Sequence, residues 1–69
     1  MSEEEQIEKL KKIALETQWT DVEKKVIDAL EAYGEKGIVP ITEIIERSTR
    51  TDLEKYGLET IKRIKEGKR

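Results

Sequence analysis

The sequence predicts a compact all-α domain of four helices, the last three forming a helix-turn-helix-like trihelical unit with the first packed across it. Three observations lead there. Apolar residues recur every three or four positions, and strand-like alternation is nowhere sustained for more than a few residues. Ser2 with Glu5, Thr20 with Glu23 and Thr51 with Glu54 each form a Ser/Thr-x-x-Glu pattern, in which hydroxyl and carboxylate satisfy two otherwise orphan amides at a helix start. Only the segment GEKGIVP, residues 34–40, combines two glycines with the single proline, so one substantial loop is expected.

The first helix is expected at about 3–17, with Ile7, Leu10, Ile13, Ala14 and Thr17 on its apolar stripe. Glu5 to Lys9 and Glu8 to Lys12 would support it as i,i+4 pairs. The second, about 21–33, carries Val22, Val26, Ala29, Leu30 and Tyr33, with Gly34 where a C-terminal cap belongs. Pro40 suits the first turn of a third helix at about 40–48, which buries Ile41, Ile44 and Ile45. After a short STRT turn, a fourth helix at about 52–66 aligns Leu53, Tyr56, Gly57, Ile61 and Ile64. Gly57 costs about 1 kcal/mol in a helix interior, less than the burial gained by keeping that stripe intact, so the helix is expected to continue through it. Leu30, Ile44 and Ile61 are the predicted centre of the core. Trp19, beside a helix start, is expected to plug the junction between two helices, and both tyrosines to lie against the core.

With 69 residues, the chain is expected to form one domain, 1–69. It has no cysteine and no histidine, which removes thiolate and imidazole chemistry and nearly every zinc site. Its 16 acidic residues fall mostly at helix starts or near lysine and arginine, as on a solvated helix face. The serines and threonines have no histidine to activate them, and GEKG lacks the ending of a phosphate-binding loop. No enzyme activity, cofactor, metal or small-molecule substrate is therefore expected. Absence of a long apolar run and an acidic start point to a soluble, intracellular chain without a membrane span.

Charge is distributed unevenly. Residues 47–69 hold Arg47, Arg50, Lys55, Lys62, Arg63, Lys65, Lys68 and Arg69 against four acids, a net of +4, which leaves −6 on residues 1–46. A basic end on an acidic body can steer the last helix toward a polyanion. Cations also suit the C-terminal end of a helix dipole, which makes the same pattern compatible with a purely structural role.

From Trp19 to residue 66 the chain resembles a Myb/SANT repeat, of the homeodomain-like group of three-helix domains. QWTDVE is similar to that family's W-T-x-x-E opening, KVIDALEAYGEK to its first helix, and STRTD to the Gly-Arg-Thr before its third. The family's three spaced tryptophans are reduced to Trp19, with Ile41 and Tyr56 or Leu58 near the other places. TDLEKYGLE is also locally similar to the fourth helix of SAM-type and helix-hairpin-helix domains. The Myb/SANT resemblance implies a trihelical fold and puts base-reading residues on the exposed face of the helix after Arg50 and Thr51, which in this sequence carries Glu54, Lys55, Glu59, Lys62 and Glu66, a poor face for reading bases because carboxylates beside phosphates cost affinity. The basic end makes a nucleic-acid-binding module, with the eight cations named above contacting phosphates, the first functional expectation. The alternative is a protein-interaction or structural helical domain, including an engineered sequence without biochemical activity, because dense caps and few aromatics are also what a designer would choose.

Overall fold

The computed structural model describes residues 2–67, in which four α-helices and no strand occur. Helix α1 spans Glu3–Glu16, α2 Thr20–Glu31, α3 Ile38–Arg47 and α4 Thr51–Lys65. A 3₁₀ turn, Gly34–Gly37, runs straight into α3. The expected loop is thus mostly helical, and α3 begins two residues before Pro40, which sits in its first turn. Gly34 ends the α2 segment at φ 66, the left-handed conformation that a side chain disfavours.

Helices α1 and α4 each pack on both α2 and α3. The core is built from Ile7 and Ala14 of α1, Val26, Ile27 and Leu30 of α2, Ile41, Ile44 and Ile45 of α3, and Leu53 and Ile61 of α4. The Cα radius of gyration is 11.0 Å, matching the value of about 11 Å for a compact chain of this length. Tyr33 and Tyr56 are half-buried against this core, and the Tyr56 hydroxyl donates to Asp28. That hydrogen bond, with burial behind it, raises the Tyr56 pKa. Helix α4 continues through Gly57 without a break.

Several expectations are corrected. Ile27, absent from the predicted stripe of α2, is fully buried, whereas Ile13 of α1 is about half exposed at 49%. Helix α1 lies against two helices at once, so its buried arc centres on Ile7 and Ala14, and Leu15 rather than Ile13 joins its border. Trp19 is 72% exposed and plugs nothing. Only the first capping box forms, with Ser2 Oγ accepting from the Glu5 amide and Glu5 from the Ser2 amide. The other two helices start one residue earlier than their boxes require, with Trp19 and Arg50 as cap residues and no side-chain cap.

Several ion pairs join different elements of the fold. Lys11 bridges Glu8 at 3.4 Å and Glu43 of α3 at 3.1 Å, and Lys36 pairs with Glu3. The Glu43 and Glu8 contacts raise the Lys11 pKa against the opposing effect of burial. Among the described residues, the expected Glu8 to Lys12 pair does not form, and Lys11 takes Glu8 instead.

Candidate nucleic-acid interface

The eight cations of the C-terminal third divide according to what the fold does with them. Lys68 and Arg69 lie outside the described residues. Arg63 closes a bidentate pair on Glu31, Nε to Oε2 at 3.0 Å and Nη2 to Oε1 at 3.2 Å. The hydrogen bond from Arg63 holds the Glu31 carboxyl below its ordinary pKa, against a smaller opposing effect of burial. Arg63 and Lys65 border a cleft of about 680 Å³ at the ends of α2 and α4, where Asp28, Glu31 and Glu35 also line the wall. Such a wall repels phosphate, so the C-terminal end of α4 is the weaker half of the predicted patch.

Arg50 does something different. Its Nη1 donates to Thr20 Oγ1 at 2.6 Å and Glu23 Oε1 at 3.3 Å, and its Nη2 to the Gln18 carbonyl at 2.8 Å. The residue that caps α4 therefore clamps the start of α2, and the two helices begin side by side. Glu23, the acid of the expected second capping box, is buried and serves as the arginine's partner.

Both helix starts are built alike. The Trp19 amide donates to Thr17 Oγ1 at 3.1 Å and the Arg50 amide to Ser48 Oγ at 3.0 Å. These hydroxyl turns orient the chain while neither helix start gains a side-chain cap, which brings the positive ends of two helix dipoles to one pole of the molecule, where Asp21 and Glu23 in the first turn of α2 and Asp52 and Glu54 in that of α4 partly offset them. Thr17, Gln18, Glu23, Arg47, Ser48, Thr49 and Arg50 line a shared cleft of about 310 Å³ there. A sequence signal for this pairing exists: TQWTDVE at 17–23 and STRTDLE at 48–54 share the pattern [ST]-x-x-T-D-[VL]-E. Gln18, Thr20 and Glu23 were not among the predicted site residues, because a capping-box reading looks along one helix and not across to another.

Arg47, Lys55 and Lys62 are exposed and unpaired among the described residues. Steps of 100° per residue place Thr51, Lys55, Leu58, Lys62 and Lys65 within an arc of about 80° on the outward face of α4. Glu54 borders this arc on one side and Glu59 and Glu66 on the other, which narrows the surface a phosphate can approach. Leu58, at its middle, is 54% exposed.

The chain matches no known protein family, no curated protein and no solved structure. Fold alone does not imply function, so the activity has to be read from the site. No helix is long and apolar enough to cross a membrane among the described residues.

Proposed function

We propose that this domain binds nucleic acid through the pole where α2 and α4 begin and along the outward face of α4. The observation carrying this reading is the pairing of two helix starts without side-chain caps beside Arg47 and Arg50. Helix N-termini present amides and positive potential to phosphates, and the Lys55 and Lys62 stripe leads away from them along one helix face. Arg47, Lys55 and Lys62 supply phosphate contacts, and Lys65 adds a weaker one beside the acidic cleft. Arg63 has a structural role as the partner of Glu31. In this reading α4, which follows α3 after the turn at 48–50, serves as the recognition helix, and a helix diameter of about 10 to 12 Å suits a major groove about 12 Å wide.

Titration of labelled duplex DNA, single-stranded DNA and RNA at about 50 mM salt, where counterion release is strong, tests the reading. Duplex binding that weakens steeply with salt is expected, and no binding to any of the three overturns it. Exposed Trp19 and Leu58 favour a second reading, a protein-interaction module, which then remains.

A further inference from the structure

Arg50 is held more firmly than a phosphate anchor needs. Three hydrogen bonds, to Thr20, Glu23 and Gln18, fix its guanidinium. They use three of its five N–H donors, leaving the Nε–H and one Nη2–H without a partner among the described residues. Nε and Nη2 flank one edge of the guanidinium, the edge with which Arg63 grips Glu31 in this same molecule. The Arg50 side chain is also 42% exposed. Two donors of the planar guanidinium, the Nε–H and one Nη2–H, are thus left at the leading end of α4, and paired on one edge they would form a bidentate fork.

The electrostatics distinguish its targets. Glu23 stands directly behind the guanidinium and offsets its charge, so Arg50 attracts a distant phosphate less than an unpaired lysine does. The directional donors on the open edge are unaffected. That combination suits a neutral acceptor pair better than an anion, and in a major groove the acceptor pair that matches an arginine fork is O6 and N7 of guanine. Position agrees with chemistry, because helix-turn-helix recognition helices reach base edges with their N-terminal residues and Arg50 is the cap residue of α4.

We infer that Arg50 is a specificity-determining residue that reads guanine in the major groove of duplex DNA, with Thr20, Glu23 and Gln18 fixing the plane of its guanidinium. This rests on the duplex-binding reading above. It commits to B-form DNA, since the deep, narrow major groove of A-form RNA excludes side chains.

Selection of the full chain on a randomised duplex library, followed by competition binding, tests the inference. The enriched site contains a preferred guanine, and replacing that base by 7-deazaguanine, which lacks the N7 acceptor, weakens binding by about fivefold or more. This arm uses the unaltered protein and does not depend on whether a variant folds. In Arg50→Ala, whose folding is checked by thermal denaturation, the ratio of affinities for the guanine and 7-deazaguanine sites falls to one, because no donor remains to meet N7. Duplex binding without a guanine preference, or an undiminished 7-deazaguanine penalty in Arg50→Ala, refutes readout by Arg50 while leaving the duplex-binding reading intact. Failure to bind any duplex overturns both, and equal affinity for duplex RNA of the selected sequence overturns the major-groove assignment.

Discussion

Ile45 of α3 lies so close over Gly57 of α4 that a methyl group on Gly57 would sit 2.3 Å from Ile45 Cγ2. The glycine in the middle of α4 is therefore a point of close helix approach and not a break. Gly57→Ala gains about 1 kcal/mol of helix propensity but overpacks this contact, at about 1 to 3 kcal/mol. Ile45 is β-branched and stiff within a helix, so the clash is not relieved by a rotamer change. A net loss of stability is expected in urea denaturation. Combining Gly57→Ala with Ile45→Ala, which removes the clashing methyl, should cost less than the sum of the two single changes, by about 0.5 to 3 kcal/mol. Strict additivity would show that the two helices do not meet here.

Ile44 is essentially fully buried in the core between the helices. Ile44→Ala leaves a cavity and should cost about 2 to 5 kcal/mol, a large share of the stability of so short a chain. A denaturation midpoint unchanged by the substitution would place α3 outside the core.

Trp19 offers the opposite case. At 72% exposure, Trp19→Ala should change stability by no more than about 0.5 kcal/mol, against about 3 to 5 kcal/mol for a buried tryptophan. The same exposure predicts red-shifted indole emission that iodide quenches readily. Emission shielded from iodide would return Trp19 to the core.

The Glu31 and Arg63 pair gives a pH dependence whose sign follows from the lowered Glu31 pKa. Because the folded value lies below the ordinary 4.5, the pair stabilises the fold above that pH and loses its effect as pH falls through the folded pKa. The stability difference between the parent and Glu31→Gln should be largest near neutrality and shrink below about pH 4.5. A difference that stays constant on acidification contradicts the pairing.

Replacing Lys55, Lys62 and Lys65 together by glutamine tests the outward face of α4 without touching the fold, since none of the three is paired among the described residues. The thermal midpoint should hold, and the salt dependence of duplex binding should flatten by about 0.9 log units for each phosphate that is no longer neutralised. Extending the set to Arg63 should also destabilise the protein, because Glu31 is then left without its partner. An unchanged salt slope in the triple variant would remove α4's outward face from the interface.

Local signals in the sequence were enough for the helices themselves. The stripe through Leu53, Gly57, Ile61 and Ile64, the cap at Ser2 and the glycine at position 34 act within a few residues of chain, and each is found at its expected place. Propensity, periodicity and capping are short-range physics, so neighbouring residues alone carry them. The centre of the core was legible for the same reason, with Leu30, Ile44 and Ile61 all buried.

What each charged or amphipathic side chain does was decided only by the tertiary structure. Glu23 stands where a capping box would use it, yet it is the partner of Arg50, 27 residues away. Arg63 pairs with Glu31 on α2 and not with an acid on its own helix, and Trp19 stays in water where the arginine clamp closes the start of α2. Long polar side chains have several partners within reach on their own helix, each worth only a few tenths of a kcal/mol. Such small differences are overridden once packing of the apolar stripes brings another helix alongside. The sequence by itself thus determined where the helices lie and most of the residues they bury, while the exact buried arcs of α1 and α2, with Ile13 exposed and Ile27 buried, followed from the packing. Which cations remain unpaired among the described residues, and where two helix starts come together, depended on the packing of α2 against α4.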